Sequence, residues 1–305
     1  FPIGKGEKRM SGQPKVADAD LAYFNGSIKK ITTDSSVMIS SSAYLNNATL
    51  RTLIAQEMLR RNGADLPNTA YIPEVAQILM SLEDFPKIVQ MFEEEKARLP
   101  AFKKWLDDRD LFDIKAEDVA HCAPGTLGAK MHDFIVNSGF QLDIFYQGMV
   151  VDSDLSFYFK QSALTHDVEH MVTGFGPNHG GEIALVVANL HARGKYFKPE
   201  LAMFFNRIQT YLRSKTQMKD GLHYPASAVM CYDAEFLGAQ QGRNWIHPLM
   251  CVNWKHYLDK PIPQVREELG IFPIIPDGLW DKTDLLCDEG VMAGEKDIPY
   301  SAAAE

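Results

Sequence analysis

LSFYFKQSALTHDVEHMVTGFGPNHGGE, residues Leu155 to Glu182, is the stretch on which the fold turns. Its first part, Leu155 to Val172, reads as one long helix, with Asp152, Ser153 and Asp154 as cap candidates. Gly174, Gly176 and Pro177 then break the helix, and Gly180-Gly181 permit a tight turn before Glu182 opens the next one. On the first helix His166 and His170 lie one turn apart on one face, and Asp167 is three positions before His170. Those three side chains can converge, and the glycine turn can bring Glu182 back beside them.

Outward from this junction, apolar residues recur at helical spacing through most of the chain, whereas strict alternation is scarce. The predicted class is all-α, a single compact multi-helix domain with a metal site at a helix, glycine loop, helix junction. Helices are predicted over Ala48 to Arg61, Pro73 to Leu82 and Pro86 to Leu99, the last ended by Pro100. Further ones run over Gly125 to Asn137, Glu182 to Ala192 with a stop at Gly194, Leu201 to Lys215, Pro248 to Leu258, and Pro263 to Leu269 with a stop at Gly270. In the Leu201 helix, Leu201, Phe204, Phe205, Ile208, Tyr211 and Leu212 form one apolar stripe, read as core packing. Ile144 to Val151 and Ile271 to Ile275 are the best strand candidates, weakened by Gly148 and Pro273. With no internal repeat or low-complexity linker, residues 1–40 are expected as a partly irregular extension, 41–275 as the helical domain and 276–305 as a tail.

The chain has 305 residues, 46% hydrophobic and 23% charged, enough to bury a sizeable core without disulfide staples. Its net charge of −9 argues against a nucleic-acid partner, which a basic face must neutralise. Cys122, Cys231, Cys251 and Cys287 form no CxxC pair and are expected as buried, reduced thiols. No apolar run approaches the ~20 residues that a spanning helix needs, and the first twenty residues lack the apolar segment of a secretory signal.

Two imidazoles and two carboxylates suit a borderline divalent ion, with Zn, Fe, Mn and Co all compatible, whereas calcium and magnesium prefer an all-oxygen shell. The blander alternative is a helix bearing surface His and Asp, followed by a Glu favoured by the helix dipole. His132-Asp133 reads as structural, since nearby sequence offers no further ligand. His191 falls on the opposite side of its helix from Glu182, and His121, His223, His247 and His256 have no histidine partner at i+3 or i+4, long-range convergence staying open to them.

The pattern His166-Asp167-x-x-His170, eleven residues, then Glu182 resembles the signature of the Coq4 family of ubiquinone-biosynthesis proteins. The likeness extends to Pro124-Gly125-Thr126-Leu127-Gly128, to Asp154-Leu155-Ser156-Phe157-Tyr158 and to the segment from Asn253 to Ile271. The resemblance implies an all-helical fold in which His166, Asp167, His170 and Glu182 hold one divalent metal beside an apolar pocket for a polyprenylated or other lipophilic aromatic carboxylate. The activity implied is oxidative replacement of the C1 ring carboxylate by a hydroxyl. It also implies a cytoplasmic protein peripheral to a membrane, the matrix side of the mitochondrial inner membrane in a eukaryote, working near other quinone-biosynthesis proteins; a homo-oligomer is expected.

Four protein ligands leave an open position only on a five- or six-coordinate ion. A tetrahedral zinc with all four bound would be closed, and the protein would then be a lipid-binding organiser with a structural metal. A phosphohydrolase of the HD type is disfavoured, because such sites draw on a separate upstream His and a distant Asp. Where the family usually carries a bulky aliphatic pair before the Gly-Glu, this chain has His179-Gly180, so a divergent relative is expected. His179 is either an acid/base group or extra ligand, or a solvent-facing loop histidine. From His191 to Lys219 seven basic residues stand against Glu200, a local +6 interleaved with aromatics that could meet an anionic membrane or a substrate phosphate, or be balanced by acidic neighbours.

Overall fold

The computed structural model describes residues 40–62, 66, 70–138, 146, 148–281 and 283. The chain divides into two units, Phe1–Ala48 and Thr49–Glu305. In the first, the described residues carry α1 (Ala43–Asn46), capped by Ser42, whose hydroxyl accepts from the Leu45 amide at 3.2 Å. The helix α2 (Ala48–Leu59) begins at the division.

The second unit continues with α3 (Ile72–Ser81), α4 (Phe85–Arg98), α5 (Pro100–Asp108), α6 (Ala116–Val119) and α7 (Leu127–Ser138). After them come α8 (Asp154–Leu164), α9 (His166–Thr173), α10 (His179–Tyr196), α11 (Pro199–His223), α12 (Pro225–Asn244) and α13 (Ile262–Leu269). No strand occurs among the described residues, and Thr126 and Pro261 form an isolated bridge. The all-α expectation therefore holds.

At the centre lies α10, with Ile183, Ala184, Leu185, Val186, Val187 and Ala188 all buried. A helix that is apolar on every side needs neighbours all round, and α11 and α12 supply two of them. The α12 contact depends on Gly238 and Gly242: a Cβ on either would run into the carbonyl oxygen of Ala184 or Ala188. Elsewhere Phe92, Phe102, Trp105, Phe157, Tyr158, Phe204 and Phe205 pack α4, α5, α8 and α11 together. Phe102 and Trp105 stack at 23°, while most of the other ring pairs meet edge-on or tilted, as between Phe92 and Phe205 at 5.5 Å and 73°. The stripe through Leu201, Phe204 and Phe205 is thus core packing, as expected.

Several boundaries differ from the sequence reading. Pro100 does not merely end α4; Leu99 is extended, and Pro100 then opens α5. The predicted helix Leu155 to Val172 is two helices hinged at Thr165, where ψ is −7° against about −42° in a regular helix. Gly194 does not stop α10, which starts at His179 and runs to Tyr196. The helix α12 escapes the periodicity test because its buried face is built of Ser227, Ala228, Cys231, Ala234, Gly238 and Gly242 rather than large apolar residues. Pro248 to Leu258 holds two short 3-10 turns, Leu249–Cys251 and Trp254–Tyr257, in place of one helix. Ile271 to Ile275 is irregular chain pinned by the buried ends Ile271 and Ile275. In the other strand candidate, 144, 145 and 147 lie outside the described residues and the rest is irregular.

Candidate metal centre

The site forms where α9 stops and α10 starts. Gly174 ends α9 in the left-handed conformation, φ 81°, and its amide donates to the His170 carbonyl at 3.1 Å. Asn178 caps α10, accepting from the Gly181 amide at 2.7 Å, while its own amide nitrogen donates to Asp281 Oδ1 at 3.0 Å. Gly180 lies against Trp280, where any Cβ would overlap the indole, and its N–H donates to Thr283 Oγ1 at 2.9 Å. This tightly packed loop places Glu182 in the first turn of α10, where the helix dipole favours a carboxylate.

There Glu182 faces both histidines. Its Oε2 is 3.5 Å from His166 Nε2 and its Oε1 is 3.3 Å from His170 Nε2. The two imidazole centroids are 4.7 Å apart, and ligand atoms of His166, His170 and Glu182 all lie within 4.8 Å of one another. His170 donates its Nδ1–H to the Phe175 carbonyl at 2.8 Å, which turns the lone pair of Nε2 into the site. That Nε2 is buried and makes no aligned hydrogen bond among the described residues. An orphaned imidazole nitrogen with a second imidazole and a carboxylate beside it is a donor set that fits a borderline divalent cation.

Electrostatics follow from the same geometry. Burial alone would depress the His166 pKa, but the Asp167 and Glu182 carboxylates outweigh it and hold it well above the usual imidazole range. Burial likewise opposes ionisation of Glu182, yet His170 and His166 drive its pKa far below the usual carboxylate range. Both groups are hemmed in by protein atoms while 45% of the His166 and 43% of the Glu182 side chain stay accessible, so the centre lies in an open recess. His170, 6% accessible, forms its floor.

Asp167, expected to join these ligands, sits on the other side of His166, with Oδ1 3.5 Å from Nδ1. His179 turns away into the protein, where Asp220 takes its Nε2. It is buried rather than solvent-facing and clusters with Asp220 and Cys231 instead of with the ligand atoms around Glu182. His132 and Asp133 form an exposed local contact at 3.6 Å. Neither of the two described clefts is lined by these ligand residues. One, of about 340 Å³, runs along α12 between Met230, Phe236, Leu237, Leu279 and Trp280, and the other, of about 390 Å³, lies between α4 and the start of α11.

The +6 run does not form a free basic face. Arg193 donates to the Phe205 carbonyl, Lys195 to the Arg243 and Trp245 carbonyls, and Lys198, Arg207 and Arg213 pair with Glu94, Glu83 and Glu235. Lys215 and Lys219 are buried against Glu57 and Asn62. Acidic neighbours thus stand against five of the seven cations, and backbone carbonyls meet Arg193 and Lys195. No described helix is long and apolar enough to cross a membrane.

Two features had no signal in sequence. Glu169, buried behind the centre, accepts from Asn189 Nδ2 at 3.0 Å, and burial raises its pKa. Asp220 and Cys231 meet His179 from 41 and 52 positions away, distances at which spacing carries no information.

An all-helical protein with a histidine and carboxylate centre at a helix-loop-helix junction is the class that fold and site define. The family described as "Coenzyme Q (ubiquinone) biosynthesis protein Coq4" matches residues 103–274, and the chain belongs to it. Its fold is similar to the crystal structure of a candidate ubiquinone biosynthesis protein from Nostoc punctiforme PCC 73102, at 22% identity and TM-score 0.53, covering 68% of this chain and 90% of that one. No curated protein sequence matches the chain.

Proposed function

We propose that the protein is a metal-dependent enzyme of quinone biosynthesis acting on a polyprenylated or other lipophilic aromatic carboxylate, replacing the ring carboxylate at C1 by a hydroxyl. The observation that carries the reading is the convergence of His166, His170 and Glu182, with His170 Nε2 left without a hydrogen bond, inside the segment that matches the family. These three residues hold one divalent ion. Asp167, at the far nitrogen of His166, fixes the tautomer that turns Nε2 toward Glu182.

A bound ion of this kind would neutralise negative charge developing on the ring and, if redox-active, engage dioxygen, the class of oxidant the overall change requires. The protein's own part is positioning. The His170 ring is locked by Phe175, while the accessible sides of His166 and Glu182 leave room for a ring carboxylate to approach. That opening favours a catalytic centre over a closed structural one. The substrate class rests on the family match rather than on a cavity, and other proteins of the pathway are the partners it implies.

Elemental analysis of the purified chain, paired with mass spectrometry of co-purifying lipids, tests the reading. At least one divalent ion per chain and a prenylated aromatic acid are expected, and His166→Ala should lower the metal content by one ion and lose product formation while remaining folded. A metal-free wild-type chain that still turns over the aromatic acid would refute it.

A further inference from the structure

We propose that His179, Asp220 and Cys231 form a second metal site, closed and structural, which takes zinc or a similar thiophilic divalent ion. The three residues come from different helices: His179 opens α10, Asp220 lies near the end of α11 and Cys231 is in α12. One ligand atom from each lies within 4.8 Å of the others. For comparison, the bond lengths of a tetrahedral zinc set its ligand atoms about 3.3 to 3.8 Å apart. His179 Nε2 is 2.9 Å from Asp220 Oδ2 and 3.0 Å from Oδ1, so the carboxylate offers both oxygens to the same point. With a bidentate carboxylate, the imidazole and the thiolate close the shell without water.

Burial separates this cluster from ordinary surface groups. The side chains of His179 and Asp220 are 4% and 1% accessible and Cys231 is 2% accessible. A divalent cation balanced by one thiolate and one carboxylate has no net charge, which is the form in which such groups are best kept out of water. The neighbouring cation Lys219 is engaged by Asn62 and Glu57. Burial holds the Cys231 thiol above its usual pKa, so without an ion it keeps its proton. Binding expels that proton to solvent, and the proton on His179 Nε2 moves to Nδ1 or is also released. The bound ion ties the start of α10 to α11 and α12 three residues before Glu182, bracing the loop that aims the first centre.

Cobalt(II) titration of the reduced full-length chain reads the site, because the His166, His170 and Glu182 centre contains no sulfur. A sulfur-to-cobalt charge-transfer band is expected in wild type, in Glu182→Ala and in Cys122→Ser, the last removing the half-buried thiol near His121 and Asp259. In Cys231→Ser the band should vanish and the cobalt stoichiometry fall by one ion. Should that variant fail to fold, zinc X-ray absorption on the Glu182→Ala protein gives the answer: a sulfur scatterer at about 2.3 Å is expected. A shell of nitrogen and oxygen alone, no thiolate band at saturating cobalt, or a band lost with Cys122→Ser instead overturns the proposal.

Discussion

His170 donates its Nδ1–H to the carbonyl of Phe175 at 2.8 Å, and this bond links the metal centre to the backbone of the loop that follows α9. Phe175 is held in turn by its buried ring, 6.0 Å from Trp280. Gly174 precedes it at φ 81°, where a Cβ would come within 3.1 Å of the Ile275 carbonyl oxygen. Gly174→Ala should therefore cost about 1–2 kcal/mol of stability and shift the Phe175 carbonyl. Metal affinity should fall about 10–100-fold, measured by competition with a chelator beside a denaturant titration.

Asp167 and His166 are expected to behave differently. His166→Ala removes a ligand and should lower the metal stoichiometry by one ion. Asp167→Asn keeps the shape but weakens the hold on His166 Nδ1, so affinity should drop about 10–100-fold without being lost. Equal loss in both variants, measured by metal titration, would make Asp167 a ligand of full weight.

Acid and metal act on this centre in opposite directions. With its pKa raised, His166 adds to the stability of the metal-free chain below the ordinary imidazole value, and that contribution is lost as pH rises through the raised one. Glu182, with its pKa depressed, contributes above the ordinary carboxylate value and loses this only in strong acid. Chelator-treated protein should gain most from the pair between about pH 4.3 and 6.5, whereas metal affinity should climb with pH as His166 loses its proton. Urea unfolding across pH, with and without added zinc, checks both trends.

Glu57 is fully buried and pairs with Lys215 at 2.9 Å, with Lys219 3.6 Å away. Glu57→Ala leaves two buried ammonium groups without their carboxylate, which should cost about 3–5 kcal/mol. Replacing Lys215 by Met in the same chain should recover part of that loss; the midpoints of urea unfolding give both values.

Gly242 presses on the Ala188 backbone, so Gly242→Ala must push α12 away from α10. A loss of about 1–3 kcal/mol is expected from overpacking. By contrast Gly194→Ala, with open space at its Cβ inside α10, should stabilise the chain by about 0.5–1 kcal/mol. Thermal unfolding of the two variants should move in opposite directions.

Local chemistry made much of this legible. Ser153 and Pro86 mark helix starts, Gly174 and Gly270 mark stops, and the four-residue spacing of His166 and His170 puts two imidazoles on one face wherever that helix lies. Glycines and proline between Thr173 and Glu182 likewise require a turn, whatever surrounds it. These are properties of the nearest few residues, which is the range over which a backbone prefers one conformation. Packing decided the rest. The hinge at Thr165 and the run of α10 through Gly194 depend on neighbours that sequence does not place beside them. So does the helix α12, whose small residues become a buried face only against Ala184 and Ala188. The pairing of the basic residues from Arg193 to Lys219, and the meeting of His179 with Asp220 and Cys231, arise from contacts among side chains far apart in the chain. Such contacts cost loop-closure entropy that only a complete core offsets, so they exist in the tertiary structure and leave no trace in spacing.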